Sequence, residues 1–247
     1  MSQTQKKSLY GLTLSELQTL CAELSLPRFA AKQIARWLYV RRVKAIEEMT
    51  DLSKVARAAL EEHYELGLAA PLKESCSADG TKKYLFRTSQ GEYIESAYIP
   101  DGERATLCVS SQAGCRMGCR FCATGRQGLQ HSLSTTEIIN QILSIPESER
   151  LTNLVFMGMG EPLDNIDNLM RALDILTSEW GLAWSPTRIT LSTAGVAREL
   201  RRFLDSTQVH LAVSLHNPFH EEREQIMPIE KAYPIRQVAD ILREYDF

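Results

Sequence analysis

From residue 105 onward, short apolar segments alternate with segments of helical periodicity, and this alternation is the strongest constraint on the fold. The apolar segments, each ending in small or polar residues, are ATLCVSS (105–111), LTNLVFMGMG (151–160), RITLSTAG (188–195) and VHLAVSLH (209–216). Continuous apolar strands separated by helices predict an α/β fold with a parallel sheet covered by helices. Because barrel-type α/β folds collect their chemistry at the carboxyl ends of the strands, we expect functional residues at these four strand ends.

The segments between the predicted strands carry the signals of helices. Ser134 and Glu137 form a capping-box pattern just before an apolar segment of helical spacing. Further helices are predicted from a stripe at Leu169, Ala172, Leu173 and Leu176 and from the segments 196–204 and 234–245. Four strands do not close a (βα) barrel, and the chain stops directly after a predicted helix. Since complete proteins usually cover an open sheet edge, we expect a partial barrel in a chain truncated at its C-terminus.

Two regions precede the predicted barrel. The first seventy residues read as helical, with apolar residues at helical spacing at Leu14, Leu17, Leu20 and Leu24. Residues 71–100 contain an Asp-Gly turn signal and a Ser-Gln-Gly break between short β-rich runs, which predict a small strand-and-turn connector. We therefore expect a helical accessory domain (1–70), a β connector (71–100) and an α/β core (101–247).

The segment from residue 28 to residue 44 contains six basic residues and no acidic one. The candidate RNA-binding residues in it are Arg28, Lys32, Arg36, Arg41 and Arg42. Trp37 and Tyr39 are interleaved with them, and such a patch is able to meet phosphates and stacked bases. The alternative is a solvated basic face whose aromatic residues belong to the core, and the sequence leaves both open.

The composition is that of an ordinary globular protein, with 44% hydrophobic residues, 24% charged residues and a formal net charge of −3. No apolar run approaches the roughly 18 residues that a membrane-spanning helix needs. The N-terminus lacks the apolar core of a signal peptide. We therefore expect a cytoplasmic, reducing setting without membrane contact, where clustered cysteines more often bind metal or do chemistry than form disulfides.

Four of the six cysteines lie in the stretch CVSSQAGCRMGCRFC (108–122). Cys115, Cys119 and Cys122 form a C-x3-C-x2-C array, which is able to ligate three corners of an iron–sulfur cluster and leave one iron open. Structural zinc is the alternative, with Cys108 or His131 as the fourth ligand. However, zinc ribbons usually have two separated C-x2-C pairs, and the sequence contains no second pair.

These motifs resemble those of the radical S-adenosylmethionine (SAM) superfamily. The array has an aromatic residue before its last cysteine, and Gly158-Met159-Gly160-Glu161-Pro162 is similar to the GGEP-like element of that superfamily. The longer string TLCVSSQAGCRMGCRFC, with IESAYIP upstream, resembles the RlmN-like family of radical SAM methyltransferases, which modify C2 of adenine in 23S rRNA and tRNA. The resemblance runs from about residue 8 to residue 247.

The resemblance implies a [4Fe-4S] cluster on Cys115, Cys119 and Cys122 whose open iron binds SAM. It also implies that SAM is contacted by residues at the ends of the later strands. These are Gly160, Glu161, Ser192, Ser214, Leu215 and His216. An electron donor such as flavodoxin and a monomeric state are further expectations.

The resemblance implies a reaction in which a methylated cysteine passes its carbon to adenine. Glu95 is expected to remove the C2 proton, and Cys108 to release the joined RNA with formation of a disulfide. In the family the methyl-carrying cysteine and a SAM-contacting asparagine belong to the region after the position of Phe247. No cysteine follows Cys122 in this chain, so we expect it to bind a cluster without methylating RNA by itself.

Two other functions are compatible with the same residues. One is the related antibiotic-resistance type of enzyme, which methylates C8 of adenine and shares the motifs. The other is a zinc-stabilised RNA-binding module that uses the basic segment 28–44 without catalysis.

Overall fold

The computed structural model describes residues 6–246 as eleven strands and nine α-helices. The strands are β1 (Lys7–Ser8), β2 (Tyr64–Glu65), β3 (Lys73–Cys76), β4 (Lys82–Arg87), β5 (Tyr93–Asp101), β6 (Arg104–Cys108), β7 (Gln112–Gly114), β8 (Leu129–Ser132), β9 (Asn153–Phe156), β10 (Ile189–Thr193) and β11 (His210–Val213). The helices are α1 (Leu14–Glu23), α2 (Ala30–Ala35), α3 (Lys54–His63), α4 (Ala123–Gln127), α5 (Thr135–Leu143), α6 (Ile166–Thr177), α7 (Ala197–Ser206), α8 (His220–Ile226) and α9 (Ile235–Leu242). Short 3₁₀ turns connect several of them, and a π-helical turn (Arg36–Val40) continues α2.

One seven-stranded sheet organises the molecule, in the order β11-β10-β9-β6-β5-β4-β3. Strands β6, β9, β10 and β11 pair in parallel, as the four apolar segments predicted. Strands β3 to β6 pair antiparallel, so the strands of the expected connector extend this same sheet. The two parts share one sheet because β5 and β6 form a hairpin in which Ala97 pairs with Cys108. The sheet therefore continues across residue 100, where the sequence predicted a boundary between the connector and the core.

The two faces of this sheet differ in burial because side chains alternate along each strand. Leu107, Leu154 and Leu191 are buried on the face that packs into the hydrophobic core with α5 and α6. Glu95, Cys108, Val155 and Ser192 alternate with buried neighbours and lie on the opposite, partly exposed face. This second face forms the inner surface of a partial barrel, and the two sequence-predicted catalytic residues share it.

The helices predicted for the core are present, and their buried sides are the predicted ones. Helix α5 begins with a full capping box between Ser134 and Glu137, and helix α6 buries the whole predicted apolar stripe. Helices α7 and α9 lie within a few residues of the segments predicted for them. Within residues 6–246, no helix is both long and apolar enough to cross a bilayer.

The N-terminal helices pack directly on the α/β core through aromatic side chains. The Tyr39 hydroxyl donates to Leu12 O at 2.7 Å, and its ring meets Trp180 edge-on at a centroid distance of 5.8 Å. Thr136 Oγ1, at the start of α5, donates to Tyr10 O at 2.7 Å. Tyr10 and Tyr39 are buried, so the aromatic residues of this region hold the two parts of the chain together.

Loss of the α5 capping box is expected to destabilise the fold measurably. Ser134→Ala removes the hydroxyl that accepts from the Glu137 N–H, and such N-cap losses cost about 1 kcal/mol. Urea unfolding followed by circular dichroism measures this difference. Ser206→Ala, at the exposed end of α7, is the matched control and is expected to stay within about 0.5 kcal/mol of the parent chain. Equal stabilities of the two variants would contradict the role of the cap.

Candidate active site

Three cysteines lie on the segment that leaves β7 and enters α4. Cys115 directly follows β7, and Cys122 is the N-cap of α4, where its Sγ accepts from the Gly125 N–H at 3.4 Å. Cys119 lies in the loop between them. All three side chains line one pocket of about 270 Å³.

The same pocket is lined by the carboxyl ends of three parallel strands. It contains five of the six residues that the sequence predicts as SAM contacts, namely Gly160, Glu161, Ser192, Ser214 and His216. The sixth, Leu215, is not among the lining residues and is 47% exposed. His216 adopts a left-handed backbone with φ +55°, and its ring packs against Phe121 at a centroid distance of 4.5 Å. Such a conformation is rare for residues other than glycine and occurs often at functional sites.

The donor chemistry of the pocket fits an iron–sulfur cluster better than a single metal ion. Among residues 6–246, no group of three His, Cys, Asp or Glu side chains is placed to hold one ion. Cys108 and His131, the two candidates for a fourth zinc ligand, are not among the pocket residues. Three cysteines that line one pocket suit an iron–sulfur cluster, which contains several metal ions. Burial raises the pKa of Cys115 to about 11 and raises the pKa of Cys119, so metal binding must displace their protons.

Glu161 is 3% exposed and joins the ends of β9 and β10. Its Oε1 accepts from the Thr193 hydroxyl at 2.6 Å and from the Leu163 N–H at 3.2 Å, and its Oε2 accepts from the Ala194 N–H at 2.7 Å. A carboxylate offers about four lone-pair sites, so one site on Oε2 stays available to a ligand in the pocket. Burial raises the pKa of Glu161 to about 7, against the opposing effect of these three hydrogen bonds.

The turn that carries Glu161 needs glycine at position 160. Gly160 has φ +99°, and a Cβ there would lie 2.5 Å from the Gln112 side chain on β7. Gln112 Oε1 accepts from the Glu161 N–H at 2.9 Å. The close approach of the two backbones therefore fixes where the Glu161 carboxylate points.

A buried ion pair behind the pocket was not predicted from the sequence. Arg223 and Glu230 are both fully buried and form a salt bridge, and Glu230 Oε1 also contacts His220 Nδ1 at 2.7 Å. The Arg223 guanidinium donates to the carbonyl oxygens of Ala194 (2.8 Å) and Ser214 (3.0 Å), and its Nε donates to the next carbonyl, at position 215. Arg223 thus holds the ends of β10 and β11, which carry predicted SAM contacts. The only signal for this pair in the sequence was an arginine followed seven positions later by a glutamate.

Glu95 and Cys108 lie outside the cysteine pocket but close to each other. Ala97, two residues after Glu95, pairs with Cys108 across β5 and β6, so the two side chains point to the same face of the sheet. Glu95 forms an ion pair with Lys83 of β4, with 2.9 Å between Nζ and Oε1. Burial raises the pKa of Cys108, which keeps it a thiol at neutral pH.

All six cysteines lie within residues 6–246 and are free thiols. The disulfide that the resemblance implied is therefore not a feature of this structure. The expected partner of Cys108 is the methyl-carrying cysteine, which the resemblance places after the position of Phe247, so none of the described cysteines is that partner.

The basic segment is exposed in part, whereas its aromatic residues are buried. Arg28, Lys32, Arg36 and Arg41 are exposed, and Arg42 is half-buried because its guanidinium donates to Ser148 Oγ at 3.0 Å. Trp37 and Tyr39 are 8% and 1% exposed, and the Arg41 guanidinium covers the Trp37 ring at 4.1 Å. Both rings therefore belong to the core, as in the second of the two alternatives that the sequence left open.

Glu161 is expected to make the stability of the cofactor-free chain depend on pH. Its folded pKa of about 7 lies above the ordinary 4.5, so its contribution is complete below about pH 4.5 and is lost as the pH rises through 7. The loss is on the order of 3 kcal/mol. Glu161→Gln is neutral at every pH and is expected to lose less stability between pH 5.5 and 8.5 in urea unfolding. Parallel pH profiles for the two chains would contradict this.

Removal of Arg223 is expected to destabilise the chain strongly. Arg223→Met leaves the Glu230 carboxylate buried without its cation, which costs about 3–5 kcal/mol. The matched control is Arg198→Met, which removes an exposed guanidinium paired with Glu199 and is expected to change stability little. Urea unfolding compares the two variants. A loss for Arg223→Met no larger than that of the control would overturn this account of the network.

Comparison with known proteins places the chain in a family. The radical SAM superfamily model matches residues 109–247, and the model of the ribosomal RNA large subunit methyltransferase N-terminal domain matches residues 7–66. A protein of Phocaeicola vulgatus named "Probable dual-specificity RNA methyltransferase RlmN" is 55% identical over 245 residues, covering 99% of this chain and 70% of its own length. A Geobacter sulfurreducens protein named "Dual-specificity RNA methyltransferase RlmN" is 45% identical over 95% of this chain and 65% of its own length.

A solved structure supports the same placement. The crystal structure of a radical SAM methyltransferase from Sphaerobacter thermophilus superposes with a TM-score of 0.88 at 39% identity, covering 97% of this chain and 72% of the other. The predicted partial radical SAM fold is confirmed by this likeness and by the observed sheet. The chain therefore belongs to the radical SAM superfamily and, within it, to the RlmN family.

Proposed function

We propose that this chain provides the cluster and SAM site of an enzyme that methylates C2 of adenine in 23S rRNA and tRNA. The observation that carries the proposal is the single pocket in which three cysteines meet Glu161 and the ends of three parallel strands. The names of the relatives support RNA as the substrate. The matched relatives extend beyond the aligned region, which is about 70% of their length.

The cofactors are a [4Fe-4S] cluster and SAM, as membership of the family implies. Cys115, Cys119 and Cys122 are the residues proposed to hold the cluster. When bound, the cluster supplies the electron that cleaves the sulfonium of SAM reductively.

The strand ends are proposed to bind and orient SAM. The free lone-pair site on Glu161 Oε2 suits the SAM amino group, and the hydroxyls of Ser192 and Ser214 offer hydrogen bonds in the same pocket. Arg223 holds the backbone of both later strand ends in place.

Glu95 and Cys108 are proposed to act on the RNA. Adenine C2 lies between two ring nitrogens and is electron-poor, so it cannot attack a methyl group as an ordinary nucleophile, and its proton needs a base. The Glu95 carboxylate is that base, and its Oε1 lies 2.9 Å from Lys83 Nζ. Cys108 is the thiol that releases RNA from the protein, and its raised pKa limits premature thiolate formation.

The exposed cations of residues 28–41 are proposed to contact RNA phosphates, while the buried Trp37 and Tyr39 take no part. A flavodoxin-like electron donor and a cytoplasmic setting belong to the same proposal. Nucleoside mass spectrometry separates the two adenine positions in RNA that has been methylated by an enzyme joining this chain to the methyl-carrying cysteine. We expect 2-methyladenosine, and 8-methyladenosine would assign the protein to the C8 type.

Cluster assembly tests the proposal on this chain directly. After anaerobic reconstitution we expect a brown protein with about four irons and four sulfides, which cleaves SAM to 5′-deoxyadenosine when dithionite is added. Cys115→Ala is expected to lose most of the iron and all of the cleavage. Cys76→Ala is the matched control, because Cys76 is an exposed cysteine outside the pocket, and it is expected to retain both. A colourless protein with one zinc, unaffected by Cys115→Ala, would refute the proposal.

A further inference from the structure

A second pocket, which we call the β5 pocket, lies next to the cysteine pocket. Its volume is about 440 Å³, within the range of about 300–1,000 Å³ typical of small-molecule sites. It is lined by Leu85, Glu92, Tyr93, Glu95, Ala123, Thr124, Gln127, Gln130 and Met159. Ala123 directly follows Cys122, and Met159 directly precedes Gly160, so one chain segment on each side lines both pockets. The proposed base Glu95 is therefore in a pocket that adjoins the cofactor site.

The charges of the β5 pocket select against a phosphate. Its lining contains two carboxylates, Glu92 and Glu95, and no Lys or Arg. A phosphate group would meet two carboxylates there, and Lys83 beside the pocket is already paired with Glu95, whereas a neutral base with amino groups would meet acceptors. The pocket thus suits a nucleobase and not the backbone of RNA.

Tyr93 gives this pocket an aromatic wall. It lies on the same strand as Glu95, two residues earlier, so both side chains point to the same face of the sheet. The side chain is 53% exposed, and among the described residues it makes no ring contact and its hydroxyl has no hydrogen-bond partner. An exposed aromatic face beside a pocket is what proteins use to stack an unpaired base.

Gln127 and Gln130 add polar groups that suit adenine. Gln127 ends α4, Gln130 lies in β8, and both are exposed. Within residues 6–246 neither side-chain amide has a hydrogen-bond partner, so their donors and acceptors are free for a ligand. A glutamine amide pairs with the N6 amino group and N7 of adenine, a pattern that guanine does not offer.

We propose that the β5 pocket seats an adenine base of the substrate RNA, with Tyr93 stacking on the ring and Gln127 and Gln130 hydrogen-bonding its edge. The inference rests on the proposed function, because it takes RNA as the substrate. It assigns adenine selection to residues that neither hold the cluster nor move the proton.

Fluorescence anisotropy with two labelled RNA hairpins tests the stacking role of Tyr93. Both hairpins have a seven-nucleotide loop of uridines. They differ only at the centre of the loop, which is an adenosine in one hairpin and an abasic site in the other. We expect the chain to bind the adenosine hairpin about ten-fold more tightly, in line with the stacking of one base. Tyr93→Ala is expected to remove most of this preference and leave binding of the abasic hairpin unchanged. Tyr93→Phe keeps the ring and is expected to keep the preference.

Phe219→Ala is the matched control for Tyr93→Ala, because Phe219 is 65% exposed and outside the β5 pocket. It is expected to keep the full preference for adenosine. Far-ultraviolet circular dichroism checks that each variant is folded, and the pair Tyr93→Phe and Tyr93→Leu tests the ring if the alanine variant does not fold.

A third hairpin tests the edge contacts. Purine riboside in place of adenosine lacks the N6 amino group but stacks similarly. We expect the chain to bind it about ten-fold more weakly than adenosine, and the double variant Gln127→Ala/Gln130→Ala to bind both equally.

The outcomes separate this inference from the proposed function. Equal binding of the adenosine and abasic hairpins, or an equal loss of both in Tyr93→Ala, overturns the inference while RNA binding stands. Full discrimination against purine riboside in the double glutamine variant overturns the edge contacts. Absence of binding to every hairpin contradicts the proposed RNA substrate and the inference with it.

Discussion

The hydrogen bonds of the buried Glu161 carboxylate hold together the pocket that the three cysteines line. They join the turn after β9 to Thr193 and Ala194 at the end of β10, and the Gly160 turn fixes the carboxylate against Gln112. Ala194 is held in turn by the Arg223 guanidinium. These polar contacts link the ends of β9, β10 and β11 in a region with little access to water. A buried polar group without a hydrogen bond would lower the stability of the fold there. The pocket has a defined shape before any ligand enters it.

The buried Arg223–Glu230 pair shows why this shape needs charge. Burying two ions costs more than packing apolar residues of similar volume, so stability alone does not explain the pair. Its geometry does, because one planar guanidinium reaches three carbonyl oxygens at two strand ends, which no apolar side chain is able to do. The ion pair therefore serves to position the backbone around the proposed SAM site, at a cost in stability.

Local patterns predicted much of this molecule, and contacts between distant segments were missed. The four parallel strands, the capping box of α5 and the cysteine array each depend on residues close in sequence, and the structure contains all of them. The junction of the connector with the main sheet is the β5–β6 hairpin, whose local Asp101-Gly102 turn signal was overlooked when a boundary was drawn at residue 100. Burial of Trp37 was one of two alternatives that the sequence left open, and packing together with the cover given by Arg41 decides between them.

The short segment after Cys119 connects the two halves of the proposed chemistry. Cys122 lines the cofactor pocket, and the next two residues line the β5 pocket, so one turn at the start of α4 borders both. This turn is held by its own Cys122 cap and by the contact of Arg126 with the carbonyl of Arg120. Metal ligation at Cys122 would fix the turn further. Because the short helix α4 begins at this turn and ends at Gln127, ligation of the proposed cluster by Cys122 would be coupled to the wall of the pocket proposed for adenine.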